Sequence, residues 1–228
     1  LEAPGARIPS GRNLTVAAHL TAAGRPDLTV FTNDTTTVGQ GMGRLTFDRH
    51  IFALADGARL VAVYGSATKL PGETLQTGRR AVLLRSEDRG LTWRYFSTLG
   101  PRPEPSVVRF SPTEMMSLLR VNGWMPLEQS WSSDGGRTWT PPRRLEEGSV
   151  DADLVYMGNG VLACSYGRPG SNLMFSLDRG ETWVHHHVIT ELRGYNYTSI
   201  QEISPGRLLY VHDAPRMQAL YVDVERLE

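Results

Sequence analysis

Four side chains are suited to holding and acting on a ligand that bears a carboxylate: Glu104, Arg120, Arg168 and Tyr197. An arginine fork is charged at every physiological pH and grips a carboxylate through paired hydrogen bonds. Tyrosine and glutamate are among the groups that do nucleophilic and acid–base work. Other residues suggest chemistry by type alone. His185, His186 and His187 have the type of metal ligands, but strand alternation sends only His185 and His187 to one side. An exposed outer strand is therefore expected there, with no metal and no cofactor. The one cysteine, Cys164, excludes an internal disulfide framework and a multi-cysteine metal centre. Its apolar surroundings predict a buried, inert thiol. Trp124 is suited either to stacking on a sugar ring or to filling a loop core. Asn13, Asn33 and Asn196 each open an N-x-T pattern, which matters only on a eukaryotic secretory route. A bulky glycan on Asn196 would crowd Tyr197.

What must position these groups is an internal repeat. Residues 86–93 read SEDRGLTW, 132–139 read SSDGGRTW and 176–183 read SLDRGETW, all fitting S-x-D-x-G-x-T-W. Asp88, Asp134 and Asp178 are spaced 46 and 44 residues apart. Serine and aspartate accept backbone N–H bonds in tight turns, and glycine supplies a backbone shape that other residues resist. The octet aspartates are thus expected to build turns rather than to do catalysis. Thr-Trp then opens a strand, with the indole packing inward.

The flanks repeat as well. Apolar runs at 51–54, 106–110 and 153–157 are each followed by a short polar turn and a second run, at 60–65, 115–120 and 161–167. Third runs end at the octets and fourth runs begin at the tryptophans. A further copy opens at YTSIQEI (197–203) and has no octet. No segment has convincing helical periodicity. Four short strands per repeat of this length predict an all-β protein, a β-propeller of four-stranded antiparallel blades. Residues 1–228 are expected to form a single domain, with blades near 46–100, 101–147, 148–192 and 193–228. Residues 1–45 read as irregular or as an incomplete blade, in which FTNDTTTV (31–38) has the look of an eroded octet.

Strand order then separates the two faces of the disc. The octets lie at the turn between the third and fourth strands. The starts of first strands and the ends of second strands lie on the opposite face, and first strands crowd the central axis. The first-strand starts are Asp48 or Arg49, Glu104, Asp151 or Asp153, and Tyr197. The second-strand ends are Tyr64, Arg120, Arg168, and His212 or Asp213. A glutamate, a tyrosine and two arginines converging there would suit an anionic sugar.

The three octets resemble Asp boxes, the signature of the sialidase (neuraminidase) superfamily and related BNR-repeat proteins. EPSVVRF (104–110), LLRV (118–121), SYGRPG (165–170) and YTSIQEISPGRLLYVHD (197–213) are also similar to bacterial sialidase-family sequences. The resemblance covers about residues 46–225. It implies a six-bladed propeller, so either blades lie outside these residues or the protein departs from the family. It also implies an exo-acting, retaining glycoside hydrolase that cleaves terminal sialic or related acidic sugars without a metal. Sialidases are exceptions among glycosidases in using a tyrosine nucleophile, because a carboxylate would be repelled by the sugar's own carboxylate. By the resemblance Tyr197 is that nucleophile, Glu104 its partner base, and Arg120 and Arg168 two arms of the clamp on the substrate carboxylate. For the third arm the resemblance leaves Arg49 and Arg7 open, and for the general acid Glu73, Asp48 and Asp151. Related propellers also bind glycans or proteins without catalysis, so a non-catalytic binding module is the alternative.

Composition narrows the partners. Lys+Arg and Asp+Glu both number 24, leaving no basic excess for phosphate backbones, so nucleic acid is not an expected partner. No apolar run reaches the roughly 18 residues of a membrane span. A carbohydrate substrate or glycan is the expected partner. The chain opens at Leu1 without a charged-then-apolar leader, which suggests a processed form or part of something longer. Sugar-cleaving propellers commonly meet their substrate outside the cell, so a secreted or periplasmic setting is slightly favoured.

Overall fold

The computed structural model describes residues 15–20, 26–31, 42–67, 78–121, 125–145 and 150–226. These residues form strands and turns with no helix. Strands β1 (Thr15–Leu20) and β2 (Pro26–Phe31) pair as an antiparallel hairpin. The first blade is β3 (Met42–Ala53), β4 (Arg59–Ala67), β5 (Gly78–Ser86) and β6 (Arg94–Gly100). The second is β7 (Pro105–Arg109), β8 (Met115–Leu119), β9 (Glu128–Ser132) and β10 (Arg143–Arg144). The third is β11 (Val150–Tyr156), β12 (Leu162–Gly167), β13 (Ser171–Ser176) and β14 (Val184–Thr190). β15 (Thr198–Ser204), β16 (Arg207–His212) and β17 (Gln218–Asp223) form the last sheet, which has three strands. Within each sheet, consecutive strands pair antiparallel in chain order. This is the blade pattern of a β-propeller.

Alternation along the strands gives each blade two packing faces. The core is accordingly divided into layers between blades. Leu60, Leu83, Val107 and Met115 join the first blade to the second, and Met116, Leu118, Leu154 and Leu162 join the second to the third. Ala163, Leu173, Ile200 and Tyr210 join the third to the last. β12 and β13 are buried at every position, as suits inner strands covered on both faces.

The octets form the turns their residues predict, and they also lock blades together. In the second blade, Ser132 Oγ donates to Asp134 Oδ1 at 2.8 Å and accepts the Gly136 N–H at 2.9 Å. Asp134 Oδ1 accepts the N–H groups of Arg137 and Thr138, and Oδ2 accepts the Thr138 hydroxyl. Gly136 has φ +87°, and a Cβ there would press against Leu83 of the first blade. The Gly136 carbonyl accepts from Ser97 Oγ, which also accepts the Trp139 indole N–H at 3.3 Å. One blade later Gln129 does the same work, donating to the Gly180 carbonyl at 2.7 Å and accepting the Trp183 indole N–H at 3.1 Å. Each of these octets is therefore closed by its own residues and clasped by a polar side chain of the preceding blade.

A carboxylate ties the axis. Asp153 is fully buried on β11. Its Oδ1 lies 3.0 Å from His50 Nε2 of the first blade and accepts the Leu154 N–H. Its Oδ2 accepts Ser199 Oγ at 2.8 Å and the Ile200 N–H at 2.9 Å, both from the last sheet. Burying a charge is costly unless it is paired and hydrogen-bonded, and Asp153 meets that condition with groups from three sheets.

Replacing Asp134 by alanine removes four donors' shared acceptor and should lower the unfolding free energy by about 1–2 kcal/mol in a urea titration. The octet aspartates also predict an acid limb. The Thr138 hydroxyl and N–H hold the Asp134 carboxyl at about 2. At Asp88 burial pulls upward, but the Thr92 hydroxyl and N–H outweigh it and hold the group at about 2. Both folded values lie below the roughly 3.9 of an unfolded aspartate, so the stabilisation is full above that value and disappears as pH falls towards 2. The thermal midpoint should drop between pH 4 and pH 2, and the Asp134→Ala protein should lose less of it across the same interval.

Candidate functional site

Glu104 directly precedes β7 and Arg120 directly follows β8, so the first hairpin of the second blade brings them side by side. Arg120 Nη1 donates to Glu104 Oε1 at 2.7 Å, and the two side chains are only 15% and 10% exposed. Burial alone would disfavour the Arg120 charge. The Glu104 carboxylate, and after it the Tyr197 phenol, more than offset that effect and raise the guanidinium above its ordinary value. Tyr197 thus stands near enough to Arg120 to bear on its charge. The Arg168 guanidinium carbon lies 5.8 Å from the centroid of the Tyr197 ring, a cation–π placement. Groups from the second, third and last sheets therefore meet around one partly exposed phenol.

The backbone around these groups is strained. Glu104, Asp151 and Arg168 have φ of 48°, 48° and 58°, and Asn196, just before Tyr197, has 58°. Such conformations cost of order 1–3 kcal/mol in non-glycine residues and persist only where surroundings impose them. At Asn196 the constraints are visible. Its buried amide donates to the Leu192 carbonyl at 3.0 Å and to Ser171 Oγ at 3.4 Å, and accepts the Gly194 N–H at 3.0 Å. A Cβ on Gly167 would collide with the Asn196 carbonyl, so only glycine lets the end of β12 approach so closely. Arg168 Nε donates to the Tyr195 carbonyl at 2.9 Å. Asp213 Oδ1 accepts the Tyr197 N–H at 3.0 Å, and the Asp213 N–H reaches the Tyr197 carbonyl.

The other expected residues fall into different places. Arg49 lies on β3, but its side chain is outside the described residues, as are the side chain of Asp48 and the whole of Arg7, Glu73 and Trp124. Asp151 is half-buried at the start of the third blade, in the strained conformation it shares with Glu104. Asp153, its alternative on the same strand, is consumed by the axial network. Tyr64 packs against the core between the first two blades. His212 is 3% exposed, with its ring 5.9 Å from that of Tyr210. The three histidines lie on the exposed strand β14, where His186 Nδ1 is 3.5 Å from the Tyr166 hydroxyl and His187 packs edge-on to Phe175. Among the described residues, no group of three or more metal-ligating side chains gathers. Cys164 is buried and is not in a disulfide. Sequence reasoning missed Asn196 and Asp213 as the residues that fix Tyr197. The one available signal was their position on either side of the pairing between β15 and β16.

Breaking a buried ion pair from one side leaves an uncompensated charge. Arg120→Met should therefore cost about 3 kcal/mol in chemical denaturation, and adding Glu104→Gln should recover more than half of it. A double variant as unstable as the sum of the singles would show that the two side chains do not support each other.

Residues 8–211 match the family described as BNR repeat-like domain. Among solved structures, the chain is similar to the Hadza microbial sialidase Hz136, with a TM-score of 0.66 at 19% identity over 93% of this chain and 47% of that one. It is also similar to a mutant of the NanB sialidase from Streptococcus pneumoniae, with a TM-score of 0.58 at 19% identity over 77% of this chain and 30% of that one. A third likeness is to a mutant of the Aleuria aurantia lectin AAL in complex with Fucalpha1-6GlcNAc, at TM-score 0.53 and 14% identity over 77% of this chain and 60% of the lectin. The chain thus spans less than half the length of these two sialidases, and at such identities the likeness is one of fold. No curated protein matches the sequence. With its octets in place at successive blades and the family matched over most of its length, the chain belongs to the BNR repeat-like domain family.

Proposed function

We propose that the protein contributes the catalytic face of an exo-acting, retaining glycoside hydrolase that removes terminal sialic or related acidic sugars. The observation that supports this reading best is the meeting of Glu104, Arg120, Arg168 and Tyr197, from three successive sheets, on the face away from the octets. Likeness in fold to sialidases agrees with it.

In this reading Arg120 and Arg168 hold the sugar carboxylate by charge-assisted hydrogen bonds, with Arg49 as the third arm. Tyr197 attacks the anomeric carbon. Its hydroxyl proton passes to Glu104, the new bond forms from the phenolic oxygen, and the bond to the leaving oxygen breaks. A neutral phenol avoids the repulsion a carboxylate nucleophile would meet at a carbon bearing a carboxylate. The leaving oxygen takes its proton from an acid, for which Asp151 is the candidate among the described residues. Water, giving a proton to the Asp151 carboxylate, then attacks the anomeric carbon as the sugar–tyrosine bond breaks, and the phenolate takes its proton back from Glu104, with net retention. The mechanism requires no metal ion, so chelation should leave the rate unchanged.

One observation favours a second reading, a glycan-binding propeller without turnover. Glu104 is bonded to Arg120 rather than to Tyr197, and a lectin in complex with Fucalpha1-6GlcNAc is similar in fold. Activity separates the two. The full-length protein should release a fluorogenic aglycone from an α-ketoside of sialic acid. Tyr197→Phe should lower that rate at least 100-fold with little change in thermal unfolding, because one oxygen at a partly exposed site leaves no cavity. A Phe variant as active as the parent would remove Tyr197 from the reaction, and a parent that binds the sugar without releasing it would establish the binding reading.

A further inference from the structure

We propose, resting on the hydrolase reading above, that the substrate carboxylate enters by ion-pair exchange: it displaces Glu104 from Arg120 and thereby frees Glu104 to act as the base for Tyr197. The starting point is that Arg120 already carries an anion. Its Nη1 is 2.7 Å from Glu104 Oε1, so that carboxylate oxygen is already engaged as an acceptor. While that contact stands, Glu104 Oε1 is held on Arg120 and is not turned to the phenol.

The contact is built to be given up. It is a one-point bond rather than the two-point fork that arginine and carboxylate can make. Arg120 Nε and Glu104 Oε2 are both buried and both without a hydrogen-bond partner. A buried polar atom left unpaired carries its desolvation cost unrelieved, so each member of the pair gains by finding a second partner. A substrate carboxylate supplies an acceptor for the arginine. The Tyr197 hydroxyl, which already stands beside the same guanidinium, supplies a donor for the glutamate. Arg168, over the Tyr197 ring, is a second cation for the incoming anion.

The exchange makes the base conditional on the ligand. Two carboxylates around one guanidinium repel each other, so the arriving anion weakens the hold of Arg120 on Glu104. Released from Arg120, Glu104 has both carboxylate oxygens available to accept from the Tyr197 hydroxyl. The Tyr197 O–H bond then breaks and a Glu104 O–H bond forms, with the phenolate as the product. A neutral sugar leaves Glu104 on Arg120 and the phenol protonated. Selectivity for acidic sugars therefore lies in activation as well as in binding.

The exchange predicts that removing the competing charge strengthens binding while it abolishes turnover. Calorimetry with the 2,3-dehydrated carboxylate analogue of sialic acid, and with its methyl ester, tests it on the full-length protein. Glu104→Gln should bind the acid at least threefold more tightly than the parent, with the ester's affinity unchanged within twofold. A smaller gain, or weaker binding of the acid, overturns the exchange and leaves the hydrolase reading intact. Failure of the parent itself to bind the acid overturns both. A crystal structure of the parent with the acid decides the matter independently of the variant's folding. The exchange requires the Glu104–Arg120 contact to open beyond 3.5 Å, and a retained contact with the acid seated on Arg120 refutes it.

Discussion

The octet turn does two jobs, and the opposite face depends on the second. Serine, aspartate and threonine close the turn with bonds among themselves and to the backbone. That leaves a glycine carbonyl and an indole N–H pointing at the preceding blade, where Ser97 or Gln129 satisfies both at once. Because buried polar groups demand partners, the angle and height of one blade against the next are strongly constrained. Groups on the far side of the disc can then converge although they come from strands one to two repeats apart in sequence. Asp153 supplies a matching restraint along the axis by joining the first, third and last sheets.

On that frame the far face combines strained backbone with unpaired buried polar atoms. Positive φ at Glu104, Asp151, Arg168 and Asn196 lies at first-strand starts and a second-strand end. Two of the buried atoms without partners belong to Glu104 and Arg120. The octets also hold Arg89 and Arg179 at positive φ, but there every aspartate oxygen is bonded. One face is saturated and the other is held short of saturation, which is the expected division between a structural face and a face meant for a ligand.

The sequence was most legible where the physics is local. The octets announce themselves because serine, aspartate, glycine and threonine act within a few residues of one another. Apolar runs of even length then give the order of strands, and the order gives the face on which Glu104, Arg120, Arg168 and Tyr197 meet. Other features lie in contacts between distant strands and were not legible. Nothing near Asp153 in sequence tells it apart from Asp151, yet one is sealed between blades and the other sits half-buried at a blade entrance. The tight approach of Gly167 to Asn196, and the anchoring of Tyr197 by Asp213, likewise exist only once the third and last sheets are packed. The direct bond of Glu104 to Arg120 follows from a hairpin register that strand spacing alone does not set to the residue.

In the function proposed above, the phenolic oxygen of Tyr197 is the nucleophile of an acidic-sugar hydrolase, with Glu104 and Arg120 beside it. Mass spectrometry of the full-length protein after incubation with a 2,3-difluorinated sialic acid tests it most directly, because the fluorines slow breakdown of any covalent intermediate. The account predicts a sugar adduct on the peptide that contains Tyr197 and none on the Tyr197→Phe protein. An adduct on another residue, or the absence of any adduct while the parent turns over substrate, would contradict it.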